Sequence, residues 1–187
     1  MSMLPVAETV VHDRHITETI QECLTYSESR FVVSNDSSRI GPLVRHLQDQ
    51  IQAMGLLDDA DLNGVGTALH ESLINAIEHG NLEISSELRE GKRPESYCKL
   101  RELRRQQQPY CDRKVRVRAR ISREAAVFVV RDEGVGFDPS RLRDPIAPGN
   151  LERCSGRGLL LIRTFMDEIS FNRSGNQITM TKRRTST

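Results

Sequence analysis

A chain of 187 residues has the length of one domain and enough of it to bury a sizeable core. Its 27 basic residues nearly cancel its 26 acidic ones, so no net field selects nucleic acid or an anionic membrane as a partner, and an aromatic share of 4% offers no stacking platform for bases. Hydrophobic residues at 37% and charged residues at 28% describe a soluble domain with a heavily charged surface, and no apolar run approaches the roughly 18 residues of a membrane span. Cys23, Cys98, Cys111 and Cys154 lie far apart without C-x-x-C spacing, behind an N-terminus with neither a basic flank nor an apolar run. This predicts reduced thiols and a cytoplasmic protein. The histidines, His12, His15, His46, His70 and His79, could join those thiols in a zinc site only through long-range folding.

Residues 1–29 mix apolar and polar residues without a sustained period and read as an N-terminal extension, either a short added helix or a partly ordered tail. A first strand is expected at Arg30 to Val33, followed by the breaker cluster Ser34 to Ser38, which can cap a helix. Ile40, Leu43, Val44, Leu47, Ile51 and Met54 then recur at helical spacing, with Pro42 tolerated in the first turn and Gly55 as the stop. A second helix is expected from Asp59 or Asp61, both usable caps, to His79, with the stripe Leu62, Val65, Leu69, Leu73, Ala76 and Ile77 and with Gly80-Asn81 as its stop.

From Leu82 to Arg113 the chain turns charged and glutamine-rich, as a surface insertion with one short helix, outside the core, would be. Lys114 to Ile121 alternates charged and apolar residues like a strand with one wet face; Ala125 to Val130 is continuously apolar and reads as a more buried strand hairpinned to it. Asp138 to Ser155, with Pro139, Pro145, Pro148 and Gly149, is largely loop. A third helix follows at about Gly158 to Met166, then strands at Glu168 to Phe171 and Gln177 to Lys182 joined through Ser174-Gly175-Asn176. Helices can therefore gather on one face of a mixed, mostly antiparallel sheet, an α+β two-layer sandwich.

Three segments carry chemistry. In His70 to Asn81, Glu71, Asn75 and Glu78 form a polar stripe opposite the apolar one. A glutamate one turn from an asparagine suits a magnesium phosphate site, because Mg²⁺ prefers oxygen ligands and takes few protein groups; the same stripe also reads as a solvated helix face. Asp132 to Phe137, DEGVGF, stands where a buried strand runs into a loop, with Asp132 able to accept from a ligand amine and Gly134 and Gly136 allowing close backbone approach, or simply making a tight turn. Ser155 to Ile162 sets Gly156, Arg157 and Gly158 before an apolar helix, whose N-terminus can hold phosphate or be plainly capped. The basic stretch from Lys99 through Arg101, Arg104, Arg105, Arg113, Lys114, Arg116, Arg118 and Arg120 reads as a solvated insertion and strand face.

In order, context and spacing, these segments resemble the N, G1 and G2 boxes of the GHKL ATPase superfamily. More narrowly, Glu71-x-x-x-Asn75 with His79-Gly80-Asn81, Ser155-Gly156-Arg157-Gly158, and Phe165-Met166-Asp167-Glu168-Ile169 resemble the anti-sigma-factor serine/threonine kinases, over about Phe31 to Thr181. The resemblance implies a GHKL-type fold over residues 30–187, with 82–113 as an insertion absent from minimal members. It implies ATP and Mg²⁺ as cofactors, Glu71 as the base that takes the substrate hydroxyl proton, and Asn75 as the magnesium ligand. Asp132 would receive the adenine amino group, Gly134 and Gly136 would shape the adenine pocket, and Gly156, Arg157 and Gly158 would surround the phosphates at the edge of a lid. The implied partners are a small antagonist (anti-anti-sigma-like) protein as substrate and a sigma factor or other regulator, with no direct nucleic acid and no membrane, and with a homodimer left open. The alternative is a nucleotide-loaded interaction module that sequesters a regulator without transferring phosphate. Neither a phosphoacceptor-histidine helix nor a dimerisation helix hairpin is recognisable in residues 1–29, which argues against a complete sensor histidine kinase.

Overall fold

The computed structural model describes residues 23–85, 94–141 and 157–184. Strand β1 (Tyr26–Val33) starts four residues before the expected Arg30, because Tyr26–Ser29 already alternate outward and inward along the sheet. It pairs antiparallel with β2 (Val115–Ser122) over its full length, from Tyr26 opposite Ser122 to Val33 opposite Val115. Strands β3 (Ala125–Arg131), β4 (Glu168–Phe171) and β5 (Gln177–Arg183) complete a five-stranded sheet in the order β1-β2-β3-β5-β4. Every pairing is antiparallel, so the sheet is not mixed.

The described helices cover one face only. In β2, Val115, Val117, Ala119 and Ile121 are buried while Arg116, Arg118 and Arg120 are exposed, the alternation expected of a half-covered strand. The continuously apolar β3 alternates too: Ala126, Phe128 and Val130 enter the core, whereas Val127 and Val129 stay half-buried on the open face. An unbroken apolar run cannot reveal that asymmetry, because periodicity is what reports a face.

Helix α1 (Ile40–Ala53) buries Ile40, Leu43, Val44, Leu47 and Ile51, holds Pro42 in its first turn, and ends at Gly55 with φ +59°. A short 3₁₀ turn, Ser37–Arg39, precedes it, capped by the Asp36 carboxylate accepting from the Ser38 amide at 3.1 Å. Helix α2 (Asp59–Ile74) is capped by Asp58, one residue ahead of the first of the two expected caps, through a 2.8 Å bond from the Asp61 amide. Val65, Leu69 and Leu73 of α2 join the core with α1 and the sheet.

Beyond Ile74 the helix widens into a π-helical turn, Asn75–Asn81, closed by the Leu82 amide donating five residues back to the Ile77 carbonyl at 2.9 Å. The left-handed residue that ends it is Glu83 (φ 50°), not Gly80. The insertion is more central than its composition suggests. Leu82, Ile84 and Tyr97 are buried members of the core, and helix α3 (Pro94–Gln106) packs Leu100 against it.

Helix α4 (Arg157–Phe165) lies against α2 with Phe165 over Gly64, where a Cβ would come within 2.6 Å of the Phe165 ring. A glycine inside a helix costs about 1 kcal/mol against alanine, so its presence here reflects close helix approach. No described helix is long and apolar enough to cross a membrane.

Replacing Gly64 by Val should destabilise the fold by about 1–3 kcal/mol through overpacking against Phe165. The double variant Gly64→Val/Phe165→Ala should cost less than the sum of its parts, because the two side chains contend for one volume. Urea unfolding of the four proteins checks this; strict additivity would show that the two residues do not meet.

Candidate functional site

Helix α2 and its π-helical turn form the spine of the site. Glu71 and Asn75, one turn apart, are half-buried on the side that meets the start of α4. A Cβ on Gly158 would lie 2.7 Å from Glu71 Oε2 and 3.4 Å from Asn75 Nδ2, so a side chain there would push the Glu71 carboxylate aside. No hydrogen bond or ion pair engages the Glu71 carboxylate among the described residues. Arg157, exposed, is the first residue of α4, so its charge and the free amides of a helix start stand at the same end as Glu71 and Asn75. Gly156, Ser155, Cys154 and the expected loop from 142 onward lie outside the described residues.

Glu78, the third member of the expected polar stripe, does not belong to it. Widening the hydrogen-bonded turn to five residues rotates the backbone after Asn75, and Glu78 turns into the protein, where it is 4% exposed. There Tyr97 Oη donates to its Oε2 and Arg101 approaches Oε1 at 3.4 Å. Arg104 donates to the carbonyls of Leu82 and Glu83, and Arg113 to the Asn81 carbonyl at 2.8 Å and to Glu83 Oε1 at 2.7 Å. Both guanidinium groups stack on Tyr110, at 4.8 and 5.1 Å from its ring centre. Part of the basic stretch therefore fastens the insertion to the site rather than facing solvent, which a count of charges cannot show.

The second glycine segment meets the same spine about nine residues further on, roughly 13 Å at helical rise. At the end of β3, Asp132 turns back so that its Oδ1 accepts from the Gly134 amide at 2.9 Å, while its own amide donates to the Asn176 carbonyl at 3.0 Å. Its carboxylate lies on Gly80, where a Cβ would come within 2.6 Å of Oδ1. A Cβ on Gly134 would in turn collide with the Gly80 carbonyl. Gly80 is thus a contact residue rather than the expected helix stop. Gly136 has φ +71° and abuts the Ser174 carbonyl, so both backbone conformation and space demand glycine there. The Phe137 amide donates to that same carbonyl at 3.2 Å, which pins the loop to the β4–β5 turn. Between the glycines Val135 is 80% exposed, a bare apolar side chain at the rim.

Burial pushes the Asp132 carboxyl above the usual carboxylate range, against the opposing pull of the Gly134 amide, its own backbone amide and the Arg113 and Arg131 charges. A half-buried acceptor with one oxygen committed and the other available can receive an amine.

Two residues central to this geometry read from the sequence as punctuation. Asn81 is fully buried: its Nδ2 donates to Asn35 Oδ1 at 2.8 Å and its Oδ1 accepts from the Glu133 amide at 2.8 Å. Asn35 donates in turn to the Tyr110 carbonyl at 2.7 Å. An Asn after a helix and an Asn in a breaker cluster both look like caps; a long-range partner leaves no local trace.

The fold and this arrangement define an α+β, GHKL-type domain with a carboxylate–amide pair and a half-buried aspartate along one helix. Residues 33–182 match the family model of the histidine kinase-like ATPase domain, and the chain belongs to that family. No curated protein matches it. Domains of this family bind ATP, generally with Mg²⁺. The Gly158 cradle over Asn75 and Glu71, with oxygen donors beside a helix start, fits a magnesium–phosphate group, and Mg²⁺ takes few protein ligands.

Because burial disfavours the charged form, the folded state holds the Asp132 proton more tightly than the unfolded chain, whose value is near 3.8. The stability contribution of this group is present at acid pH and lost as pH rises through the folded pKa. Asp132→Asn, which keeps an acceptor for the Gly134 amide, should therefore gain Tm relative to wild type at neutral pH. The gain should shrink as pH falls through the carboxyl range. Thermal unfolding across pH checks this; a pH-independent difference would remove the buried charge as its cause.

Proposed function

We propose that this chain is an ATP-dependent protein serine/threonine kinase of the anti-sigma-factor type. In this reading it phosphorylates a small antagonist protein and sequesters a sigma factor or other regulator, as the switch of a cytoplasmic partner-swapping pathway. The observation that carries the proposal is the Glu71 carboxylate. It stands one turn from Asn75 beneath Gly158 with no partner among the described residues. A site that only holds ATP and magnesium has no need of a base there, whereas phosphoryl transfer to a hydroxyl has.

The adenine amino group would donate to Asp132, with the backbone of Gly134 and Gly136 against the ring. Gly158 and Arg157 would face the phosphates, with Gly156 completing that loop. The amide oxygen of Asn75 would hold Mg²⁺, which supplies charge neutralisation across the β- and γ-phosphates. Glu71 would accept the proton of the incoming serine or threonine hydroxyl as its oxygen bonds to the γ-phosphorus. The bond to the β–γ bridging oxygen breaks and ADP leaves.

Glu71→Gln should leave ATP affinity and partner binding little changed while phosphoryl transfer falls roughly 10²- to 10⁴-fold. The measurement pairs labelled ATP with the small protein captured from the native cell, scoring both complex formation and label on serine or threonine. Nucleotide-dependent complex formation without label from either protein would favour the non-catalytic binding module.

Adenine selectivity should pass through Asp132, since a buried acceptor facing no donor costs about 1–3 kcal/mol. ATP should bind more tightly than GTP by roughly tenfold or more, and Asp132→Ala should narrow the gap. Calorimetry with both nucleotides decides it; equal affinities in the wild type would remove Asp132 from base recognition. In the same assay Asn75→Ala should abolish the magnesium dependence of binding.

A further inference from the structure

Among the described residues Glu78 is the one acidic side chain that is buried, and the phosphate chemistry proposed above makes no use of it. A carboxylate taken out of water is tolerated only when it is paired and hydrogen-bonded. Both of its side-chain partners come from α3, where Tyr97 and Arg101 are one turn apart and so face the same way: Tyr97 Oη donates to Oε2, and Arg101 lies 3.4 Å from Oε1. The backbone of the turn is held as well. The Ile84 amide donates to the Glu78 carbonyl at 2.8 Å, and His79 Nδ1 donates to the Ile84 carbonyl at 2.6 Å.

The helix register decides where this carboxylate points. At about 100° per residue, an unbroken α-helix sets Glu78 about 20° from Glu71 and about 60° from Asn75 around the axis, on the stripe that Gly158 faces. The π-helical turn takes it off that stripe. Asn75 does not depend on the turn in the same way. Its backbone is α-helical, with φ −59° and ψ −45°, and its amide donates back to the Glu71 and Ser72 carbonyls. The Glu71–Asn75 pair therefore belongs to α2 in either register, and only Glu78 changes sides.

We propose that Tyr97 and Arg101 are positioning residues for the phosphate site: by holding Glu78 inside the protein they keep a further carboxylate off the stripe where the γ-phosphate of ATP would meet Glu71 and Asn75. The inference rests on the placement of magnesium and phosphates given under the proposed function. Freed of its partners, Glu78 regains water by returning to the stripe, within a few ångströms of the terminal phosphate. Like charges at that range repel strongly in a partly buried site. The penalty falls on the γ-phosphate, and so on ATP rather than ADP. The insertion thereby bears on the choice between the two nucleotides through Glu78 alone.

The test is calorimetry with ATP and with ADP, both in magnesium, at a temperature where thermal unfolding shows each variant folded. Tyr97→Phe/Arg101→Met should lower the ratio of ATP to ADP affinity by roughly tenfold, since the repulsion acts on one nucleotide only. Adding Glu78→Gln to that double variant should restore the wild-type ratio, because the side chain that can return is then neutral. A merely structural role for α3 would lower Tm and weaken both nucleotides alike. Tyr97→Phe alone should shift the ratio in the same direction by less, and it decides the case should the double variant not fold. An unchanged ratio, equal losses for ATP and ADP, or a triple variant that stays as poor as the double would each overturn the inference. Failure of the underlying placement shows elsewhere: Asn75→Ala would keep its magnesium dependence, and this inference would fall with it. Where Asn75→Ala loses that dependence and the double variant keeps the wild-type ratio, this inference alone is overturned.

Discussion

The side chain of Asn81 is wholly buried, and every polar atom of that residue seen to bond does so with a different part of the chain. It joins the end of β1 through Asn35, the loop after β3 through the Glu133 amide, and the insertion through Arg113 at its carbonyl. A buried polar group left unpaired costs about 1–3 kcal/mol, so the three segments are held to one relative placement by the need to satisfy one residue. Asp132 follows directly on β3 and precedes Glu133, and therefore cannot drift from Gly80 while the Glu133–Asn81 bond holds. The distance along α2 between the Glu71–Asn75 pair and the Asp132 contact is then a property of the helix itself.

That constraint explains why glycine recurs where the site is narrowest. Gly158 lies on Glu71 and Asn75, Gly134 on the Gly80 carbonyl, and Gly80 on the Asp132 carboxylate. In each case the neighbour is a polar side chain of the candidate site or the backbone of the spine, so a methyl group would press on the atoms gathered there. Packing density near that of an organic crystal leaves no slack to absorb it.

The insertion belongs to the same system. A buried carboxylate such as Glu78 is tolerable only when paired and hydrogen-bonded. Tyr97 and Arg101 supply both from α3. Because Glu78 is three residues from Asn75, the docking of α3 and the geometry of the amide are mechanically adjacent. On the far side of the sheet nothing comparable occurs among the described residues. With all described helices on one face, Arg116 and Arg118 find Glu133 and Glu28 at 3.1 and 3.5 Å in solvent, where such pairs contribute little.

The periodicities of the sequence determined the element order, the two-layer α+β class and the bounds of most helices and strands, because amphipathic spacing is written locally. The spacing of Glu71 and Asn75, the DEGVGF turn and the glycines at the start of α4 also marked the segments that the fold brings together, since each motif is a short-range requirement for oxygen donors, close backbone approach or a free helix start. What the tertiary structure alone decided was which of these residues touch. The π-helical turn removed Glu78 from the polar stripe, an open sheet face left Val127 and Val129 half-exposed, and Gly80, Asn35 and Asn81 became contacts instead of stops and caps. Each depends on a partner tens of residues away, and a residue's partner across the core is fixed by packing and hydrogen-bond satisfaction, for which the chain's local pattern carries no signal.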